Sequence, residues 1–458
     1  MRIIIAGCGN VGKILARQFS LDGHEVVIID TNGQRLSALA DEIDAICLMG
    51  DATSMEILAA ADVDSADLFI AVTGSDEKNL LSCLMASRRG NCKTIARVAD
   101  PVYFAETSEL KHTFGIDVII NPAQATAVKI NKLVSFPAVT GIDSFSRTGV
   151  DLFHFKIAEN SKLAGRAVKD IRSAFKKPLL FCLRQTPGGD VLIPNGDTVF
   201  SAGDTVTVCA TSFVADTFFR SYNIPTGKLS EVIIAGGGNT AFYLTKELLH
   251  SNINITIVES DPERAEYLSD TYPKATVVIG DATDEKLLDE ENIGSVRGFI
   301  STMGIDEENI LLSLYVRSVN PACTVMTRIH RTNFESVIRG LDLGTVLRPQ
   351  QITSDIIKRY VNSLDAARDY EVETMYTLEN GRTLALELVI REETFFTGVP
   401  LTDLVMKGQG IVCSINRDRR PLIPGGSDCI QVGDSVIVMT DNIYAQSFDD
   451  IFERKAYK

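Results

Sequence analysis

Short apolar runs alternate along the chain with stretches that carry apolar residues at helical spacing. The first run is Ile3–Ala6, and Ile14, Leu15 and Phe19 follow it on one helix face. A short continuous apolar run is typical of a strand buried on both faces, so this alternation predicts a repeating strand–helix unit. The pattern extends to six strands, with further apolar runs at 26–29, 45–49, 68–72, 94–98 and 118–120. Strands that alternate with helices predict an α/β fold with a doubly wound parallel sheet.

A glycine turn joins the first predicted strand to the first predicted helix. Gly7, Gly9 and Gly12 have the spacing of the dinucleotide fingerprint. Gly7 permits the tight turn, Gly9 has no Cβ that would block a pyrophosphate, and Gly12 lets the helix pack closely on the strand. The phosphates are then expected on backbone N–H groups at the helix N-terminus. The other residues of this predicted turn are Cys8, Asn10 and Val11.

An acidic residue follows the second predicted strand. Asp30 lies 18 residues after Gly12, where a carboxylate can accept hydrogen bonds from the ribose diol of an adenosine. The same carboxylate repels a 2′-phosphate, which favours NAD over NADP. A Rossmann-like domain that has lost its ligand is the alternative interpretation of this stretch.

The pattern changes at Ala138 and then begins again. Short alternating strands and turn signals indicate a small α+β module, after which Glu231–Ala235 leads into Gly236, Gly238 and Ala241. The fingerprint allows alanine at the third glycine position. The predicted domains are two Rossmann-like nucleotide-binding domains, 1–137 and 230–365, each followed by a small α+β module, 138–222 and 366–458.

Nearly constant offsets relate the two halves. The offset is 229 residues for Gly7 and Gly236, for Asp30 and Glu259, and for Thr73 and Thr302, and it is 230 for Asp51 and Asp281. Such spacing over the whole length predicts a tandem duplication. Because each unit is long enough to have its own core, this repeat differs from a solenoid.

Composition limits the classes of partner. The net charge is −15, which argues against binding to nucleic acid or direct adsorption to anionic lipid, because both require basic surfaces. The nine cysteines form no C-x-x-C pair, which favours reduced thiols over disulfides or a zinc site. No apolar run approaches 18 residues and no signal peptide is recognisable, so a cytoplasmic protein is expected.

Catalytic groups are scarce. The five histidines do not occupy matching positions in the two halves, and no nucleophile elbow, P-loop or metal-ligand cluster is present. A dinucleotide site without an acid–base apparatus favours sensing over catalysis. Two alternatives stay open: an NAD-dependent oxidoreductase with an unidentified small substrate, and a nucleotide-sensing scaffold for a different transporter.

The order of these motifs resembles the TrkA family, the peripheral regulatory subunits of bacterial Trk potassium uptake systems with tandem RCK domains. The resemblance covers the full chain. It implies that the glycine turn binds the pyrophosphate, that Asp30 binds the ribose, that Asp51 and Ala52 flank the adenine, and that Thr73 closes the site. The implied second site repeats these roles with Gly236, Gly238, Asn239, Thr240, Glu259, Asp281, Ala282 and Thr302. Arg97, like Arg328 in the second half, is expected to face the phosphates or a neighbouring subunit, with a structural ion pair as the alternative.

The resemblance also implies a function. The chain is expected to be a non-catalytic NAD(H)-binding subunit that gates a potassium-translocating membrane subunit of the TrkH kind, from the cytoplasmic face of the membrane. A family-like ring of eight nucleotide-binding units would need four chains. ATP-gated relatives tend to carry an arginine inside the glycine turn, whereas this chain has Asn10 and Asn239. NAD(H) is therefore the expected ligand, with ATP or ADP as possible competitors at the same sites.

Overall fold

The structure, a computed structural model, describes residues 1–145, 149–224, 229–251, 253–331, 337–338, 340–366, 372–378, 382–418, 420–443, 445 and 447–453. Its elements fall into two parallel α/β sheets and two antiparallel sheets, in the predicted alternating order along the chain. The predicted α/β class with two doubly wound parallel sheets is therefore confirmed.

The first Rossmann fold is a six-stranded parallel sheet with strand order β3-β2-β1-β4-β5-β6. Its elements are β1 Arg2–Ala6, α1 Asn10–Leu21, β2 Glu25–Asp30, α2 Gly33–Ala40, β3 Ile46–Met49, α3 Met55–Ala60, β4 Leu68–Ala71, α4 Asp76–Arg89, β5 Lys93–Arg97, α5 Pro101–Ala105, α6 Thr107–Phe114, β6 Val118–Ile120 and α7 Pro122–Val134. The winding direction reverses between the adjacent strands β1 and β4. In such sheets a ligand crevice forms at the carboxyl ends of these strands.

The first small module is a five-stranded antiparallel sheet with strand order β10-β9-β11-β8-β7. Its elements are β7 Val139–Ser144, β8 Asp151–Lys156, α8 Val168–Ala174, β9 Leu180–Gln185, β10 Val191–Leu192, β11 Thr205–Ala210 and α9 Ser212–Ser221.

The second Rossmann fold repeats the first, with strand order β14-β13-β12-β15-β16-β17. Its elements are β12 Glu231–Ala235, α10 Asn239–Leu249, β13 Asn254–Glu259, α11 Pro262–Thr271, β14 Thr276–Ile279, α12 Glu285–Glu290, β15 Gly298–Ser301, α13 Asp306–Val319, β16 Thr324–Arg328, β17 Thr345–Leu347 and α14 Pro349–Ala366. The second module again forms a five-stranded sheet, with strand order β18-β19-β22-β20-β21. Its elements are β18 Val372–Leu378, β19 Thr383–Val389, β20 Gly410–Arg417, β21 Arg420–Leu422, β22 Ser435–Thr440 and α15 Phe448–Ile451.

Matching apolar side chains form the cores of the two Rossmann folds. Ile4 and Phe69 are fully buried in the first fold, and Ile233 and Phe299 take the corresponding places in the second. Four or more buried positions in a row along the central strands agree with a sheet covered by helices on both faces.

The described chain divides into two compact units, each of which combines segments from both halves. One unit comprises Met1–Asn131 and Leu229–Lys358, and the other comprises Lys132–Lys228 and Arg359–Lys458. The predicted domain boundaries near 137, 222 and 365 stay predictions, and residues 225–228, 367–371 and 454–458 lie outside the described residues. Among the helices that the structure describes, none is both long and apolar enough to cross a membrane.

Candidate nucleotide-binding site

The glycine turn after β1 is built from three glycines with different surroundings. Gly7 has a φ of +110°, and a Cβ there would lie 2.9 Å from the carbonyl oxygen of Val72. A Cβ on Gly12 would lie 1.8 Å from the carbonyl oxygen of Gly7, so only glycine fits between strand and helix. A Cβ on Gly9 would meet no protein atom within 4 Å. The backbone of Gly9 is therefore open to a ligand, as the fingerprint predicts.

Asp30 is held against this turn. Its Oδ2 atom accepts the backbone N–H of Cys8 at 2.6 Å, and its Oδ1 atom accepts the N–H of Asn32 at 2.8 Å. A carboxylate has about four lone-pair positions, which leaves capacity for a ribose diol. Cys8 takes part through its backbone, because its side chain is fully buried and burial raises the pKa of its thiol.

A cavity of about 330 Å³ lies over the carboxyl ends of the central strands. Its volume is at the lower end of the range for ligand pockets, about 300–1,000 Å³. The structure brings six of the predicted site residues together along its wall: Gly7, Gly9, Asp30, Asp51, Ala52 and Thr73. It adds polar residues that the sequence reasoning did not assign to a site: Thr31, Arg35, Ser75 and Lys78. The predicted residues Asn10 and Val11 lie in the first turn of α1.

Asp51 and Lys78 form an ion pair in the cavity wall. The Lys78 ammonium lies 2.7 Å from Oδ2 of Asp51, and the backbone N–H and hydroxyl of Thr53 donate to Oδ1 at 3.0 and 2.9 Å. These contacts, led by that of Lys78, lower the pKa of Asp51 to about 2. Asp51 is therefore ionised at neutral pH, beside a cation that can face an anionic ligand.

Thr73 begins the loop between β4 and α4, and buried groups hold that loop. Oδ1 of the buried Asn79 accepts the N–H of Thr73 at 2.9 Å and its hydroxyl at 2.7 Å. The guanidinium of Arg97 donates to the carbonyl oxygen of Thr73 at 3.1 Å. Arg97 thus contacts the loop, and it is not among the described residues that line the cavity.

The second copy repeats the turn and its acid. Gly236 has a φ of +91°, and a Cβ on Gly238 would meet nothing within 4 Å. Oε2 of Glu259 accepts the N–H of Gly237 at 2.6 Å, as Asp30 does for Cys8. Asp281 is bonded by the N–H and hydroxyl of Thr283, which lower its pKa. The predicted residue Ala282 is buried, like Ala52 in the first fold.

The predicted pairing of Thr73 with Thr302 is wrong by one residue. Asn309, the counterpart of Asn79, bonds the N–H and carbonyl oxygen of Met303 at 2.9 and 2.8 Å. Thr302 is instead buried, and its hydroxyl donates to the carbonyl oxygens of Ala235 and Gly236. The offset between the halves changes from 229 to 230 before Asp281, so Met303 takes the place of Thr73.

Family comparisons agree with this duplicated geometry. The model of the TrkA-N domain matches residues 3–122 and 232–349, and the model of the TrkA-C domain matches residues 152–222. The chain belongs to the TrkA family. The Trk system potassium uptake protein TrkA homolog of Archaeoglobus fulgidus is 30% identical to it over 452 residues, covering 99% of this chain and 100% of that one. The Trk system potassium uptake protein TrkA of Haemophilus influenzae is 28% identical over 469 residues, covering 100% of both.

This TrkA-family chain also has the fold of solved RCK structures. The GsuK RCK domain aligns with a TM-score of 0.61 and 17% identity, covering 97% of this chain and 93% of that one. The GsuK channel bound to NAD aligns with a TM-score of 0.62 and 17% identity, covering 97% of this chain and 77% of that one. At this identity the likeness concerns the fold, and it agrees with two TrkA-N folds in one chain.

Proposed function

We propose that this TrkA-family chain is a non-catalytic regulatory subunit that binds NAD(H) and gates a potassium-translocating membrane subunit. The observation that carries the proposal is the first cavity, where the open backbone of Gly9 lies beside the carboxylate of Asp30. The names of the relatives place them in Trk potassium uptake, and GsuK structures are described as bound to NAD and to ADP. We propose the same ligand class here, with ADP or ATP as competitors.

The chemistry of the cavity wall supports sensing over turnover. Among the described residues that line it there is no histidine, cysteine or tyrosine. Asp51, whose pKa is about 2, is a poor general base at neutral pH, because efficient proton transfer needs a pKa near the working pH. An NAD-dependent oxidoreductase is the second candidate, since the cavity suits a dinucleotide in either case.

Calorimetric titration of the full chain with NADH, NAD⁺ and ADP tests the ligand. We expect Asp30→Ala to weaken NADH tenfold or more, since a hydrogen bond to a charged group is worth about 1.5–3 kcal/mol. Asp190→Ala, an exposed aspartate of the first module, is the control and keeps the wild-type affinity. An unchanged dissociation constant for Asp30→Ala would remove that residue from the site. Steady oxidation of NADH by a small metabolite would establish the oxidoreductase instead.

Gating is tested with the membrane partner. We propose that the chain assembles as a ring of four copies on the cytoplasmic face of that partner. Potassium flux into proteoliposomes that hold a TrkH-like subunit and this chain should change when NADH is added, and Asp30→Ala should shift the response to higher NADH concentration. A flux that ignores both the chain and the nucleotide contradicts the proposed partner.

A further inference from the structure

The second glycine turn, residues 236–241, is occupied by contacts that the first turn does not make. Nε of Arg264 donates to the carbonyl oxygen of Gly237 at 2.8 Å, and Nη2 of the same guanidinium lies 3.4 Å from Oδ1 of Asn239. Nδ2 of Asn239 donates at 3.2 Å to the carbonyl oxygen of Ala99, which belongs to the first Rossmann fold. The turn is thus braced by its own helix α11 and tied to the other half of the chain.

Aromatic rings hold Arg264 in this position. Its guanidinium lies 5.2 Å from the ring centre of Tyr267 and 5.9 Å from that of Phe242, and the two rings are stacked 6.0 Å apart. A cation over an aromatic face gains about 0.5–2 kcal/mol. The counterpart of Arg264 in the first fold is Arg35, five residues after its strand-end acid in each case, and Arg35 lines the open first cavity.

The charges around the two turns differ in a way that matters for a pyrophosphate. In the first fold Lys13 and Arg35 act on Cys8 as nearby cations, and Lys78 stands in the cavity wall. At the offsets set by the two sheets, Phe242 replaces Lys13 and Glu308 replaces Lys78. The second turn therefore loses two cations and gains one carboxylate, which disfavours a ligand with negatively charged phosphates.

The same region joins the two Rossmann folds. Tyr243, in the first turns of α10, accepts a hydrogen bond from Nδ2 of the buried Asn121 at 3.2 Å, and its ring packs edge-on against Phe104 at 5.9 Å. The N–H of Ala99 is bonded at 2.8 Å by Asp76, which begins helix α4, the helix that carries Lys78. The second turn is therefore connected to the rim of the first cavity.

We infer that the second glycine turn is a structural joint, closed by Arg264 and Asn239, and that each chain binds one dinucleotide, in the first cavity. The inference rests on the proposed function for the identity of the ligand. The joint itself depends only on the contacts within the chain, so the two claims can fail separately.

Stoichiometry tests the closed second turn. Calorimetry with NADH on the full chain should give one site per chain, and Glu259→Gln, which keeps an acceptor for the N–H of Gly237, should leave both the number of sites and the affinity unchanged. Glu259→Ala should do the same if it folds. Two NADH per chain, or a site lost in Glu259→Gln, would overturn the inference. A chain that binds no NADH contradicts the proposed function, and the joint is then decided by stability alone.

Stability tests the joint. Asn239→Ala should lower the melting temperature of the full chain by about 2–4 °C, the shift expected for about 1 kcal/mol in a unit of this size. Its matched control is Asn10→Ala, the exposed residue at the same position of the first turn, which should shift the melting temperature by less than about 1 °C. Arg264→Ala and Arg35→Ala form a second pair with the same expected contrast. Equal shifts within both pairs would show that the second turn is no more braced than the first.

Discussion

Gly9 and Gly12 lie three residues apart in one turn, yet a methyl group would meet different surroundings at the two positions. At Gly12 it would overlap the carbonyl oxygen of Gly7, whereas at Gly9 it would enter open space. The φ of Gly9 is −78°, which any residue can adopt. One glycine is thus needed for folding, and the other leaves room for a ligand.

Alanine substitutions separate these two roles. We expect Gly12→Ala to lower the free energy of unfolding by about 1–3 kcal/mol, because overpacking displaces strand or helix. Gly9→Ala should cost less than about 1 kcal/mol as a weaker helix N-cap, yet weaken NADH tenfold or more. Urea denaturation and NADH titration measure the two effects. Normal NADH affinity in a folded Gly9→Ala chain would place the pyrophosphate elsewhere.

His330 offers a pH-dependent contribution to stability. Burial and the neighbouring Arg328 lower its pKa below the ordinary value of 6.5, against a hydrogen bond from its ring to Asp306. A histidine with a lowered pKa in the folded state binds fewer protons there than in the unfolded chain. Its contribution to stability is therefore lost as the pH falls through about 6.5 toward the lower folded-state value.

We accordingly expect His330→Gln to reduce the acid sensitivity of the chain. The melting temperature of the wild type should fall more between about pH 7.5 and pH 5.5 than that of the variant, because the variant lacks this proton uptake on unfolding. His112→Gln, at an exposed position on α6, is the control and should retain the wild-type slope. Identical slopes for wild type and His330→Gln would contradict the lowered pKa.

At the scale of elements, the β4–α4 loop depends on one buried amide. Asn79 accepts from the N–H and hydroxyl of Thr73 and donates to the carbonyl oxygens of Thr73 and Arg97. Asn309 bonds the N–H and carbonyl oxygen of Met303 in the second fold. The two amides therefore stabilise matching loops, of which the first lines the cavity.

Removing either amide distinguishes structure from binding. Asn79→Ala and Asn309→Ala should each lower the free energy of unfolding by about 3 kcal/mol, because each leaves several buried backbone groups without partners at about 1–3 kcal/mol apiece. Asn79→Ala should also weaken NADH, since Thr73 is released, while Asn309→Ala should leave the affinity unchanged. Chemical denaturation and calorimetry on both variants provide the comparison, and weaker NADH binding in Asn309→Ala speaks against a single site in the first fold.

Local patterns predicted most of the elements that carry the cavity. The apolar runs marked all six strands of each Rossmann fold in the first half, and the glycine turn and Asp30 lie where the fingerprint placed them. Helices α5 and α6 were not predicted, although Asp100 with Pro101 begins the first and Gly115, at a φ of +66°, ends the second. Neither helix has a fully buried residue, so the periodic apolar signal was weak.

Other site residues depend on contacts between segments that are distant in sequence. Lys78 reaches Asp51 because β4 and β3 flank the central strands of one sheet, which no local pattern encodes. The exchange of Thr302 for Met303 follows from a single inserted residue, which an average offset hides. Arg97 was placed correctly at a strand end, but the direction of its side chain, toward the carbonyl oxygen of Thr73, required the packed fold.

At the scale of the whole chain, like modules gather although they alternate in sequence. Both small modules contribute to one core, in which Cys182 and Cys209 of the first module share a cluster with Cys413 and Ile437 of the second. All four residues are fully buried. The core therefore requires both halves of the chain, because neither module alone would cover these side chains.

Thiol reactivity measures whether this shared core forms. Cys47 and Cys429 are the cysteines that are not buried, so they should react with iodoacetamide in the native chain, with Cys47 slower because partial burial raises the pKa of its thiol. The other seven should react only after denaturation, since burial excludes the reagent and raises, for example, the pKa of Cys92 to about 11 and of Cys323 to about 12.

Mass spectrometry of peptides after timed labelling assigns each rate to a cysteine. The double variant Cys47→Ser/Cys429→Ser should show no rapid labelling at all, while its denatured form labels the remaining seven positions. Rapid labelling of Cys413 together with Cys182 in the native chain would mean that the two modules separate in solution. Slow labelling at both, with a rate that rises in parallel with unfolding in urea, would mean that the duplicated modules have become one cooperative unit, so that neither half of the chain can lose its module without exposing the core of the other.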